Sequence, residues 1–242
     1  MLAGQVRLSY GLGVPHDVVQ AGELSAAVQD YAKAIYTLET SEGTASTNAL
    51  AERLNVRPGS VSGMLHKLAA LGLVEHELYR GARLTKRGRA VALEVIRHHR
   101  LLELFLVESV GMSWDAVHAE AERLEHVLSE QLEELIAAKL GNPTLDPHGD
   151  PIPSPELTIA ADESRSLYAL EPGEQGTFVR VSDADPAMLR FLSERGIAPG
   201  ARLEVIERQP FDGPLYVRVG DDVQVLGALL ARAMRVSSKK TR

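Results

Sequence analysis

Residues 55–72 read NVRPGSVSGMLHKLAALG, and the architecture of the N-terminal part is decided there. Asn55, Val56 and Arg57 make a tight turn, and Pro58 suits a first helical position, where a missing N–H has no intrahelical partner to lose. Behind it Val61, Met64, Leu65 and Leu68 share one helical face, and Gly72 stops the helix. Upstream, Thr47 is placed to cap a short helix through Leu54. Before that, Val28, Tyr31, Ile35 and Leu38 recur at helical spacing from about Ser25 to Gly43. Downstream, residues 73–76 and 82–85 flank Tyr79, Arg80 and Gly81 as a two-stranded wing. Helices and wing together predict a winged helix-turn-helix over residues 23–87, behind a glycine-containing flexible tail at 1–22 with little pattern.

Two longer helices are expected next. One runs from Lys86 to about Val110 with a stripe of Val91, Val95, Leu102, Phe105 and Leu106. The other runs from about Ser113 to Leu140 with Val117, Ala121, Leu124, Leu128, Leu132 and Leu135. They define a helical domain over 88–141. Residues 142–164, rich in Pro, Gly, Asp and Asn, read as a linker. Beyond Leu167 the hydrophobic period becomes two, in short segments such as Phe178–Val181, Leu203–Ile206, Leu215–Val219 and Val223–Leu226, with a small helix from Pro186 towards Gly196. Residues 165–238 are therefore expected to form an SH3-like β-barrel. The fold class is mainly α with a small β domain.

The composition narrows the chemistry. The chain of 242 residues is 45% hydrophobic and 24% charged, which describes a core-forming protein. With no cysteine it has no disulfide, no thiolate metal site and no thiol nucleophile. No apolar run approaches 18 residues and the N-terminus lacks a signal-peptide pattern, so a cytoplasmic protein is expected. The net charge of −7 is unevenly spread. From Arg57 to Arg89 seven Lys/Arg face two acids, and from Asp115 to Glu134 seven acids face Arg123 alone. A basic block followed by an acidic block suggests polyanion binding and cation binding in separate places.

The helix starting at Pro58 is of the kind that enters a DNA major groove, its first turn aimed at phosphates and base edges. Arg57, Pro58, Ser60 and Ser62 stand at its mouth, with Lys67 further along and Thr47 at the start of the preceding helix. Arg80 and Arg83 on the wing are placed to reach flanking phosphates. A packed interaction module with a solvated cationic face would show the same pattern. Gly63 stands where a base-reading side chain is expected, so the base code is not legible. The second constellation is sharper. His118, Glu122, Glu125 and His126 recur at i, i+4, i+7 and i+8, so one helix face carries all four, and His99 and Glu103 are again one turn apart. Surface Glu–His contacts would be worth only ~0.2–0.5 kcal/mol each. Six such residues on consecutive helices favour a metal site. No His-Glu-x-x-His, Ser/His/Asp set or phosphate-cradling glycine loop stands out, so an enzyme is not expected. A winged-helix sensor of an organic ligand and a metal-dependent hydrolase remain the alternatives.

These residues resemble the diphtheria-toxin-repressor and manganese-transport-regulator family of metal-dependent transcriptional regulators, from about Leu24 to Val236. The matching motifs include Asp30-Tyr31, Ala51-Glu52-Arg53-Leu54, Leu71-Gly72-Leu73-Val74, the run from His99 to Glu103, the run from His118 to His126, and the linker from Asn142 through Pro147-His148-Gly149 to Pro153. The C-terminal part looks like the SH3-like (FeoA-like) module of the three-domain members. The resemblance implies a primary metal site of Asp30, Glu122, Glu125 and His126, and an ancillary site of His99, Glu103 and His118, completed by Asp183 or Asp185. It also implies a homodimer, expected here through Leu101, Leu104 and Phe105, that binds double-stranded operator DNA and represses metal-uptake genes. Iron-sensing members carry sulfur-containing residues where this chain has Asp30 and Glu122. Two hard carboxylates there favour Mn²⁺ over the alternative Fe²⁺. Lys33 stands where small manganese sensors place a glutamate, which favours the ancillary site of the three-domain kind.

Overall fold

The computed structural model describes residues 24–77, 81–183 and 185–237 and divides into two compact units between Ala92 and Leu93. In the first unit, α1 (Ala26–Glu42) starts at Ser25 and ends at Gly43, whose φ of 80° is the left-handed conformation a helix C-terminus favours. The helix buries Val28, Tyr31, Ile35 and Leu38, the periodic face expected from sequence. Next, α2 (Thr47–Arg53) is capped by Ser46, not by Thr47. The Ser46 hydroxyl accepts from the Ala49 amide, which places Thr47 in the first turn. Then α3 (Pro58–Ala70) begins on Pro58 and buries Val61, Leu65 and Leu68, with Met64 only half-buried. β1 (Val74–Glu77) and β2 (Gly81–Leu84) pair antiparallel from Val74–Leu84 to Glu77–Gly81. The tip of this wing, with Arg80, and the 1–22 segment lie outside the described residues.

The long helix α4 (Lys86–Phe105) starts on a cap supplied by Thr85, whose hydroxyl accepts from the Gly88 amide and donates to the Gly72 carbonyl. It continues as a π-helical turn, Leu106–Val110, closed by Gly111. The single helix expected over 113–140 is two: α5 (Val117–Leu124) and α6 (Glu130–Lys139). Ser129 breaks the run by accepting the Leu132 amide and capping α6. Leu101, Leu102 and Leu104 pack with Ala121, Leu128, Ile136 and Ile152 into a core, with Phe105 partly buried against it. The dimer contact expected at Leu101 and Leu104 is thereby corrected: both are buried inside their own chain. The exposed large apolar residues of these helices and their connections are Val110, Val127, Leu132 and Leu135.

The C-terminal part contains β3 (Arg165–Ser166), a 3-10 turn at Leu167–Ala169, β4 (Gln175–Val181), α7 (Pro186–Ser193), β5 (Arg202–Arg208), β6 (Leu215–Val219), β7 (Asp222–Leu226), α8 (Ala228–Ala233) and β8 (Met234–Ser237). Its strands pair in the order β3-β8-β4-β5-β6-β7. The SH3-like module is present, but its sheet is open: among the described residues no ladder joins β7 to β3, so the expected barrel does not close. Phe178, Leu189, Leu203, Val205, Val217 and Met234 fill its core, and Trp114, from the loop before α5, packs against it.

Candidate metal centre and DNA-binding face

Helical spacing puts His99 and Glu103 one turn apart on α4 and His118 and Glu122 one turn apart on α5. Packing of these helices around Ala121 brings the two faces together. His99 Nε2 lies 3.0 Å from Glu103 Oε1 and 3.2 Å from His118 Nδ1. His118 Nδ1 is in turn 3.2 Å from Glu103 Oε1 and 2.9 Å from Asp183 Oδ2, which comes from the loop after β4. Each of His99, Glu103, His118 and Asp183 offers a ligand atom within 4.8 Å of the others. Two imidazoles and two carboxylates at this spacing fit a first-row divalent cation. Asp185 is not part of the group. Its carboxylate accepts the Ala187 amide and caps α7.

Charge within the group is tightly balanced. Burial alone would raise the Glu103 carboxyl, but hydrogen bonds from His118, His148 and His99 outweigh it and hold the group well below the usual carboxylate range. Asp183 and then Glu103 push the His118 imidazole up to about 10 against the opposing effect of burial. Burial would likewise raise Asp183, yet His118 holds it low. A proton on His118 therefore occupies the place in the charge balance that a cation would take.

A second grouping lies at the end of α5. Glu125 is buried; its Oε2 faces His99 Nδ1 and its Oε1 lies 3.7 Å from His126 Nε2. His99, Glu122 and Glu125 also bring ligand atoms within 4.8 Å of one another, Glu122 from a side chain 42% exposed. His98 Nδ1 donates to the Glu125 carbonyl, fixing the turn that carries Glu125 and His126. Asp30 is half-buried on α1, in the first unit. His99 thus reaches both groupings of the second unit, one through each ring nitrogen.

Two residues that sequence reasoning left in the linker belong beside this centre. His148, fully buried, has its Nδ1 3.7 Å from Glu103 Oε2, and Asp146 is buried next to it. Burial and the neighbouring carboxylates of Asp150 and Glu103 raise Asp146 to about 7. In the sequence Pro147-His148-Gly149 is a matching family motif within a turn-rich linker, and nothing local to it marks Asp146 or His148 as neighbours of Glu103.

On the DNA side, Arg57, Pro58, Ser60, Ser62 and Lys67 are all exposed on or at the start of α3, and Arg83 is exposed on β2. Thr47 is half-buried at the start of α2. In the first turn of α3 Pro58 has no N–H, and the Ser60 and Val61 amides both donate to the Arg57 carbonyl, at 2.9 and 3.3 Å.

Comparison with known proteins covers nearly all of the described chain. Residues 23–82 match the iron dependent repressor N-terminal DNA binding domain, residues 85–154 the iron dependent repressor metal binding and dimerisation domain, and residues 165–238 the FeoA domain. The iron-dependent repressor IdeR of Mycobacterium tuberculosis (strain H37Rv) is 34% identical over 226 residues, covering 88% of this chain and 98% of the relative. The diphtheria toxin repressor of Corynebacterium glutamicum is 31% identical over 225 residues, covering 88% and 97%. Among solved structures, a manganese-dependent transcriptional repressor in complex with manganese is 44% identical with a TM-score of 0.83, covering 88% of this chain and all of that one. The IdeR of T. acidophilum is 27% identical with a TM-score of 0.71, covering 87% and 97%.

Proposed function

Since the chain belongs to the iron-dependent repressor family, whose members are metal-dependent DNA-binding repressors and not enzymes, we propose that it is a manganese-responsive repressor of metal-uptake genes. The observation that carries the metal dependence is the convergence of His99, Glu103, His118 and Asp183 from α4, α5 and the loop after β4. Asp30, Glu122, Glu125 and His126 would form the primary site, and the converging four the ancillary one. The ligands are carboxylates and imidazoles with no thiolate, a set suited to Mn²⁺ and, less selectively, to Fe²⁺. Affinity order alone ranks Mn²⁺ below Fe²⁺, so discrimination has to come from geometry and supply.

A bound divalent cation supplies concentrated positive charge and no bond-making chemistry. Without it, the carboxylates of Asp30, Glu122 and Glu125 would repel one another, so Asp30 and the winged helix that carries it would not be drawn to α5. With their charges offset, Asp30 would be held to Glu122, Glu125 and His126. The two winged helices of a homodimer would then present α3 at the spacing of successive major grooves, about 34 Å or a multiple of it. Arg57, Lys67, Arg80 and Arg83 would position on phosphates, while Ser60 and Ser62 reach base edges. Such DNA-directed work belongs in the cytoplasm; among the described residues no helix is long and apolar enough to cross a membrane.

Gel-shift titration with promoter DNA, with Mn²⁺ and with chelator, tests this reading. Binding should depend on Mn²⁺ in the natural protein and should lose that dependence in Asp30→Ala. Mn²⁺ stimulation that survives in Asp30→Ala would refute the link between the units. DNA binding indifferent to chelator would point instead to an organic-ligand sensor.

A further inference from the structure

We propose that Glu94, His98 and Glu130 form an additional divalent-cation site between the middle of α4 and the start of α6, sharing no ligand with the primary or the ancillary site. The proposal rests on the metal-dependent reading above and adds a position to it. One face of α4 turns His99 and Glu103 to α5 and to the turn at residues 146–149. In that turn His148 bonds the Trp114 carbonyl through Nε2 and accepts the Val181 amide on its own carbonyl at 3.0 Å. Glu94 and His98, again one helical turn apart, stand on a different face and meet the first turn of α6. Glu94, His98 and Glu130 offer ligand atoms within 4.8 Å of one another, the first two buried and Glu130 exposed. An ion arriving from solvent would thus find two donors fixed in the interior and a third at the mouth.

The hydrogen bonding of His98 determines what its second nitrogen can do. Nδ1 donates to the Glu125 carbonyl at 3.2 Å, so in the neutral imidazole Nε2 is a bare lone pair. Nε2 is buried without a hydrogen-bond partner, although Glu133 Oε2 lies 2.9 Å away. That oxygen stands beside the ring nitrogen, off the direction in which an N–H would point. Two acceptors so close together in the interior are costly unless positive charge lies against both. The spacing is that of neighbouring ligands on a six-coordinate ion: donors at ~2.1 Å from the metal and at right angles lie roughly 3.0 Å apart. A histidine whose other N–H is taken by a backbone carbonyl is the usual support for a metal-ligating nitrogen. Here that carbonyl belongs to Glu125, so the same ring braces the turn that carries Glu125 and His126.

The charge around His98 fits a divalent ion. Arg97 Nε donates to Glu133 Oε1 at 2.6 Å, and its guanidinium is anchored by a second bond to the Pro153 carbonyl at 2.7 Å. One fixed positive charge therefore stands against the three carboxylates of Glu94, Glu130 and Glu133, which leaves two negative charges for the ion to offset. Carboxylates with one imidazole select the same class of ion as the other sites, Mn²⁺ or Fe²⁺.

Equilibrium dialysis of the metal-stripped full chain against Mn²⁺ counts the ions, with His126→Ala reporting the primary site and Glu130→Gln the proposed one. Glu130 is exposed, so the exchange removes a ligand and leaves the core intact. Each variant should bind one ion fewer per chain than the natural protein at the concentration that saturates the latter, and the double variant two fewer. If Glu130→Gln binds as many ions as the natural protein while His126→Ala binds fewer, Nε2 holds a proton against Glu133 and the proposal alone falls. If the natural protein binds no Mn²⁺, the metal-dependent reading falls with it. Anomalous scattering at the manganese edge from crystals of the natural protein gives an independent answer. A peak beside His98 Nε2 supports the site, and its absence from a crystal with ions at the other positions overturns it.

Discussion

His118 carries the clearest consequence at the scale of single residues. Asp183 and Glu103 raise its imidazole from 6.5 to about 10, so in the metal-free protein it is protonated at neutral pH. Metal ligation needs it deprotonated, while Glu103 and Asp183 are already ionised. Mn²⁺ uptake at this group should therefore release about one proton at neutral pH. Calorimetry in buffers of different ionisation heat measures that proton, and His118→Gln should abolish it. The linkage runs the other way for the metal-free fold. A raised folded value means that the contribution of His118 to stability is complete below 6.5 and is lost as pH rises through about 10. Tm of the metal-stripped protein should fall over that window, and fall less in His118→Gln. Much of this was legible in the sequence, because i, i+4 spacing by itself puts His99 with Glu103 and His118 with Glu122. The choice between Asp183 and Asp185 was also available in principle, since an Asp directly before a Pro is a helix-start signature. His148 was not legible, because its partners Glu103 and Trp114 meet it only through tertiary packing.

At the scale of elements, α4 joins the two units, and the cap at its start is a single hydroxyl. Thr85 accepts the Gly88 amide at 3.0 Å and donates to the Gly72 carbonyl at 2.8 Å, tying the helix start to the end of α3. Thr85→Ala should destabilise the fold by ~1 kcal/mol, read as a lower urea midpoint with the slope unchanged. The helices and wing of the first unit were readable because apolar period, Pro58, Gly43 and Gly72 all agree. The break between α5 and α6 was not, because Leu124, Leu128, Leu132 and Leu135 stay in helical phase across it. Against that stripe stood one local signal, Ser129 followed by Glu130 and Glu133, a cap with acids in the first turn. The break matters for function: it ends α5 at Glu125, whose carbonyl takes the His98 N–H and whose carboxylate faces His99. In the sheet, alternation marks the strands, but the pairing of β8 between β3 and β4 joins segments far apart in sequence and left no local trace.

For the whole molecule, the homodimer proposed above would find its apolar surface on and before α6 rather than at Leu101 and Leu104, which are buried. Leu132 and Leu135 lie one turn apart on α6 at 48% and 61% exposure, with Val127 at 78% just ahead of them. Leu132→Asp should shift the chain from dimer to the 26.3 kDa monomer in light scattering and weaken operator binding, while leaving the ancillary ligands in place. Operator DNA should in turn tighten Mn²⁺ binding by the factor with which Mn²⁺ tightens DNA binding. The amide of Val181 bound to the His148 carbonyl bears on module exchange between relatives. Asp183 follows two residues later, so the register of β4 against residues 146–149 decides where that carboxylate ends up. A hybrid spliced at residue 164 would inherit a foreign β4 facing a native turn and would misplace the fourth ancillary donor. Splicing ahead of Asn142, so that turn and strand travel together, should preserve it.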